Sequence, residues 1–317
     1  MIEKSAFTPA EAEVLSRSFG MFIGSPPDSS ERIPCLDLLN EERCAAYLDR
    51  LAETLPSPSR LIAASQLAKR YAFIAAVPAL YAMTAYGKGV ELAIESCSLD
   101  AYPSRIGKIR LLASDAPVTV PEAGEWGRWR GELVERLFAG HIAGIWRTLS
   151  KAANIPLPIL WENAAVRVYS LYEKKITGEA AASADYDYLV HGAPGSAFGE
   201  RINPLGRFYG GRRSSAAEAS PGASTTAAAS QGEPGPAPSL GESRPASSPG
   251  ESRPASSPGE SGLASYPGAT GPASSPRASG GVPSSAAPAI RVRRTCCFYY
   301  QAAPDAEYCE ACPKIPR

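Results

Sequence analysis

Four of the seven cysteines crowd into TCCFYYQAAPDAEYCEACP, residues 295–313: Cys296, Cys297, Cys309 and Cys312. Thiols gathered in so short a segment can do four things. They can form disulfides, hold zinc, hold an iron–sulfur cluster, or remain free. Adjacent cysteines do not bond readily to each other, because the small ring strains the peptide between them. Cys309-x-x-Cys312 is an ordinary metal-binding hairpin. Its partner half is not, since zinc ribbons usually present a second spaced pair. A cluster needs four thiolates shared between irons, and its larger frame tolerates unusual spacing.

Composition narrows the setting. The chain has 317 residues, with 32 basic and 32 acidic side chains, so no global field draws it to nucleic acid or to an anionic membrane. The start, MIEKSAFTPAEAEV, carries Glu3, Glu11 and Glu13 and has no apolar core of a secretory signal. A cytoplasmic location is therefore expected, and there a cysteine cluster is metal-binding or redox-active rather than a disulfide framework.

The elements that must position the cysteines divide into three segments. Residues 1–213 have the patterning of a folded domain. Residues 214–289 are almost wholly Ser, Ala, Pro, Gly and Glu. They repeat GESRPASSP at 241–249 and 250–258, then in degraded form at 259–267 and 268–276. Glycine recurs every ninth residue, not every third, which excludes a collagen helix. So few apolar side chains cannot offset the entropy of ordering, and a disordered linker is expected. Residues 290–317 form the cysteine module.

Within the first segment the spacing predicts a helix over about 40–55, from Leu36, Leu39, Tyr47, Leu48 and Leu51. The long apolar run from Pro58 to Gly87 is interrupted by Gln66, Lys69 and Arg70 and contains Pro78. It reads as a buried, kinked core helix rather than a membrane span. Val90, Leu92 and Ile94 alternate as in a strand, and a second stretch with Ile109, Leu111, Val118 and Val120 surrounds an Asp-Ala-Pro turn. A helix over about 126–152 places Leu133, Leu137, His141, Ile145 and Leu149 on one face. Another covers about 157–176, with Pro156 and Pro158 at its start. The fold class expected is α+β: mostly helical, with a small antiparallel sheet, a long linker and the cysteine module.

The adjacent pair, the gap and the Cys-x-x-Cys of this tail resemble the bacterial ferric-siderophore reductase family, FhuF-like, which carries a 2Fe–2S cluster on that motif. The gap here, Phe298 to Tyr308, is one residue longer than the family's, a departure that bears on loop conformation. The flanking RRTCCFYY is similar as well. Upstream, SQLAKRYAFIAAVPALYAMT, PLPILWENAA and INPLGRFYGG resemble family segments, and the likeness extends to the C-terminal part of aerobactin-type siderophore synthetases. It covers about 60–213 and 290–317.

The resemblance implies a 2Fe–2S cofactor on Cys296, Cys297, Cys309 and Cys312, and a one-electron reductase that frees iron from a ferric siderophore. Siderophores grip Fe(III) through hard anionic oxygens and hold Fe(II) far more weakly. Arg293 and Arg294, with Arg291 nearby, are candidates for balancing the cluster's charge, and Trp161 and Asn163 for lining a substrate pocket. The glycines of HGAPGSAFGE follow no apolar strand and do not make a dinucleotide loop, so the electron is expected from an external ferredoxin- or flavin-reductase-type donor. The protein would work without a membrane span, peripheral to an importer at most. The alternatives are a siderophore-synthetase-like binding module with a zinc-stapled tail and no redox activity, and a small interaction protein with a metal knuckle. Cys35, Cys44, Cys97, His141, Trp126 and Trp129 are expected to be core residues.

Overall fold

In the computed structural model, residues 3–24, 31–176, 180–210, 291–302 and 307–315 are described. The linker expected over 214–289 lies outside them. The described C-terminal residues belong to the same compact unit as the N-terminal ones.

Strand β1 (Glu3–Ser5) leads into α1 (Pro9–Phe19). This helix starts with a capping box, in which the Thr8 amide donates to Glu11 and the Glu11 amide to the Thr8 hydroxyl. It ends at Gly20, whose φ of 78° is the left-handed turn that glycine adopts without penalty. Strands β2 (Met21–Ile23) and β3 (Arg32–Pro34) follow, then α2 (Glu41–Ala52), capped by Asn40. The long apolar run becomes two helices, α3 (Arg60–Ile74) and α4 (Ala76–Tyr86). The break falls at Ala75, three residues before Pro78, which sits in the first turn of α4 where its missing N–H is harmless.

The strand expected at 90–94 is shorter than its alternation suggested. β4 is Gly89–Val90, Ile94–Ser96 form a 3₁₀ turn, and β5 is Cys97–Asp100. β6 (Leu111–Ala113) and β7 (Val118–Val120) flank the Asp-Ala-Pro turn but do not pair with each other. β7 lies between β1 and β4 in one sheet, and β6 lies between β2 and β5 in a second that ends on β3. The β2–β6 pair is parallel, so the second sheet is mixed.

The helix expected over 126–152 is one rod with a π turn. It runs as α5 (Trp126–Leu137), the wider turn Phe138–Ile142, and α6 (Ala143–Ala153). Leu133, Leu137, His141, Ile145 and Leu149 are all buried, as their spacing requires. α7 (Leu157–Lys174) is buried over much of its circumference and lies against α3; α8 (Ala180–Asp187) and α9 (Pro204–Phe208) close the helical part. A last short helix, α10 (Tyr299–Ala302), rests on α3. The α3–α7 pair is therefore the floor on which the tail sits.

Candidate metal centre

The tail arrives as two pieces, 291–302 and 307–315, joined by the Arg293 amide donating to the Ala311 carbonyl at 2.9 Å. Cys297 and Cys312 are buried, and Cys296 and Cys309 are half-buried. The Cys297 and Cys309 sulfurs approach to 3.8 Å, well beyond a disulfide bond. Backbone amides point at the sulfurs. The Phe298 N–H donates to Cys296 Sγ at 3.4 Å and the Lys314 N–H to Cys312 Sγ at 3.5 Å, and the nearby Tyr299 N–H favours the Cys297 thiolate. Phe298 makes this possible with a φ of 58°, a left-handed conformation that costs a non-glycine residue roughly 1–2 kcal/mol. A residue held there implies that its surroundings fix it.

Those surroundings come from α3 and α7. The Ser65 hydroxyl and the Gln66 amide both donate to the Cys297 carbonyl, at 2.9 and 2.6 Å. Asn163 donates its amide to the Ser65 carbonyl and hydroxyl, at 2.9 and 3.2 Å. Next to it, Glu162 accepts from the Arg294 N–H at 2.6 Å, the Thr295 N–H at 2.8 Å and the Thr295 hydroxyl. Glu162 and Asn163 are 2 % and 1 % exposed, so α7 spends two buried polar side chains on holding the chain around Cys296 and Cys297.

The electrostatics are cationic. Arg293 is 5 % exposed; its guanidinium makes a 3.6 Å ion pair with Glu162, while Nη2 has no hydrogen bond. Lys69, on α3, lies 4.3 Å over the Tyr299 ring, and burial pushes its ammonium down to about 8. The Arg167 charge pushes the same way, and the Cys297 and Cys309 sulfurs oppose it. The Cys297 thiol is pushed well down, first by the hydrogen bond shared with Cys309 and then, against burial, by Arg293 and Lys69. Cys309 is pushed up for the matching reason, since a second thiolate would face the first.

The other residues singled out in the sequence go elsewhere. Arg294 is exposed and donates to the Gly210 carbonyl at 3.3 Å. Arg291 pairs with Glu173 at 2.5 Å and stacks on Tyr169 and Tyr209, which anchors the start of the tail. Trp161 is buried among Phe138, Trp146 and Phe198 and donates to Glu200. A cavity of about 570 Å³ lies by Asp100, Tyr102, Lys108 and Arg110, and neither Trp161 nor Asn163 lines it. Cys35, Cys44 and Cys97 are buried thiols, pushed up by burial. Ser65, Gln66, Lys69 and Glu162 had no place in the sequence reading of the site. The one available signal was polar residues at buried spacing in otherwise apolar helices.

Among the described residues, no three His, Cys, Asp or Glu side chains converge into a closed metal cage. The donor chemistry nevertheless suits an anionic thiolate group. Cys296 and Cys312 each accept a backbone N–H, and near Cys297 and Cys309 a buried guanidinium nitrogen of Arg293 lacks a hydrogen bond. No helix among the described residues is long and apolar enough to cross a membrane.

Two family models match the chain. One, described as the FhuF 2Fe-2S C-terminal domain, matches residues 293–314, which hold all four tail cysteines. The other, described as ferric iron reductase FhuF-like transporter, matches residues 65–215, from the Ser65 end of the α3 grip to beyond α9. No curated protein matches the chain.

Proposed function

The chain belongs to the FhuF-like ferric iron reductase family and carries that family's 2Fe–2S C-terminal domain, and from this premise we propose that it reduces ferric siderophores in the cytoplasm, releasing iron as Fe(II). Cys296, Cys297, Cys309 and Cys312 are the proposed ligands. A 2Fe–2S cluster held by them supplies a one-electron carrier whose potential follows charge, hydrogen bonding and exposure.

This chain's residues do the rest by positioning and by charge. Glu162 on α7 holds the Arg294–Thr295 backbone, and Ser65 and Gln66 on α3 hold the Cys297 carbonyl. Arg293 and Lys69 place positive charge beside the thiolates from the buried side. On the substrate, one added electron converts tightly chelated Fe(III) into Fe(II), which hard oxygen ligands hold weakly. The electron is proposed to come from an external ferredoxin- or flavin-reductase-type partner.

The observation that carries the reading is the 3.8 Å approach of the Cys297 and Cys309 sulfurs, beside Arg293 and Lys69, within the segment that the 2Fe-2S domain model matches. The test begins with anaerobic purification and iron and sulfide analysis. Reduced protein mixed with a ferric hydroxamate siderophore and an Fe(II) trap should then yield trapped Fe(II) with bleaching reversed. A colourless, zinc-loaded protein would refute the cluster. A protein that stays reduced with several chemically different ferric siderophores would refute the substrate.

A further inference from the structure

We infer that Ser65 and Gln66 are positioning residues that raise the reduction potential of the tail centre by clamping a single peptide unit. The inference rests on the cluster reading above. The unit is the one between Cys297 and Phe298. Its oxygen end accepts two side-chain hydrogen bonds from α3, at 2.9 Å from Ser65 and 2.6 Å from Gln66. Its nitrogen end donates to Cys296 Sγ at 3.4 Å. One rigid plane therefore has its carbonyl pinned to the helical floor and its N–H aimed at a thiolate.

Three consequences follow from that geometry. A peptide carries a dipole of about 3.5 D with its positive end at N–H, so the clamp points positive charge at the sulfur. Donors on the carbonyl polarise the amide and strengthen the bond its N–H makes. Fixing the oxygen also fixes the left-handed turn at Phe298, which brings the next amide, that of Tyr299, to Cys297. One clamped turn thus gives Cys296 its amide and keeps a second amide near Cys297. Asn163 holds Ser65 in place through its carbonyl and hydroxyl, which carries the arrangement back to α7.

The sign is definite. Reduction adds one negative charge to the centre, and N–H groups aimed at the thiolates stabilise that charge more than they stabilise the oxidised state. Ser65 and Gln66 are 0 % and 8 % exposed, so water does not replace their hydrogen bonds freely. Removing them should make the centre harder to reduce.

The test uses the full chain, purified anaerobically, with S65A, Q66L and the double variant. Iron and sulfide per chain report whether the centre is built. Midpoint potential, from a mediated titration followed by visible absorbance, reports the clamp. At the wild-type midpoint the reduced-to-oxidised ratio should fall several-fold in Q66L. In the double variant it should fall up to about tenfold, which is about 59 mV for a one-electron couple. S65A, which keeps the Gln66 bond, should move the same way by less, and it remains informative if the double variant loads poorly. Unchanged or raised potentials in loaded S65A and Q66L would overturn this inference while leaving the cluster reading intact. Wild-type protein with neither iron nor sulfide would overturn both.

Discussion

Two sets of cysteines in this molecule share a side chain and little else. Cys35, Cys44 and Cys97 sit in the core, where burial pushes their thiols up, the last two to about 12. Cys297 is as well buried as Cys97, both at 2 % exposure, yet its thiol is pushed down. Depth is therefore not what separates them. The tail supplies amides aimed at sulfur, a neighbouring thiol and the cations Arg293 and Lys69. Among the described residues, the core offers Cys35 the Tyr71 hydroxyl, at 3.3 Å, and a second thiol, Cys97, that works against its thiolate, with no cation to offset it. A thiolate is the ligand and the nucleophile, so it is the surroundings, not depth, that favour the thiolate at Cys297 and disfavour it at Cys35.

The strongest way to break that contrast is substitution. Changing Cys296, Cys297, Cys309 or Cys312 singly to Ser should remove most visible absorbance. Cys35→Ser, Cys44→Ser or Cys97→Ser should keep it, at a cost of about 1–3 kcal/mol in denaturant unfolding for a buried hydroxyl poorly matched to its site. A fully loaded C309S protein would show that the two sets do not differ as proposed.

The floor under the tail comes next. Glu162→Ala removes the acceptor for two amides and a hydroxyl and leaves Arg293 without its carboxylate. Breaking a buried pair in this way costs about 3–5 kcal/mol. The loss should appear in the cluster-free protein as faster hydrogen exchange over 293–297, while α5 and α6 keep their protection. Unchanged exchange there would mean that the tail is held by other contacts.

The core set has its own test. His141 is 1 % exposed; its Nδ1 bonds the Leu92 carbonyl at 2.7 Å and its Nε2 the Tyr71 hydroxyl at 2.5 Å, with Cys35 beyond and Glu95 near enough to favour the charged form. Burial outweighs those partners and pushes the imidazole down to about 4. The unfolded chain takes up this proton near pH 6.5, and the folded one does not until about pH 4. Stability from this group is thus complete above about pH 6.5 and falls as pH drops toward 4, by about 3 kcal/mol. H141Q should flatten that slope. A slope unchanged by the substitution would place the acid sensitivity elsewhere.

Legibility in the sequence follows the same division. The helices over 41–52, 157–174 and the rod from 126 to 153 were readable because apolar spacing reports a buried face directly. The strand pairing on either side of Asp115 was not. β6 and β7 pair with strands distant in sequence, and local alternation cannot choose a partner. The four cysteines could be found by type and spacing alone. Ser65, Gln66 and Glu162 could not, because each acts on a backbone atom of a segment more than a hundred residues away, and nothing in a helix sequence records which carbonyl its polar side chain will meet.

A smaller effect sharpens the role of burial. Arg293 and Arg294 are neighbours with equal charge, but one guanidinium is buried beside Glu162 and the other is exposed and bonded to Gly210. Solvent screens the second far more than the first. Arg293→Met should lower the midpoint potential clearly, and Arg294→Met hardly at all. Equal shifts would mean that both charges act through solvent and that the buried position of Arg293 has no electrostatic consequence.

The smallest effect expected is that of the repeats. The chain leaves the described core at Gly210 and returns at Arg291, and the two ends meet: Arg291 donates to the Tyr209 carbonyl at 3.2 Å and Arg294 to that of Gly210 at 3.3 Å. Residues 211–290 therefore connect two points already held together. If that connection is a flexible loop, as its composition predicts, its closure entropy varies only as the logarithm of its length. Deleting 241–258 should then stabilise the fold by about 0.2 kcal/mol, below what thermal unfolding resolves. Iron and sulfide content, midpoint potential and unfolding temperature should all match the full chain. A marked loss in any of them would show that the repeats make contacts of their own, and would shift the comparison from two sets of cysteines to what lies between them in sequence.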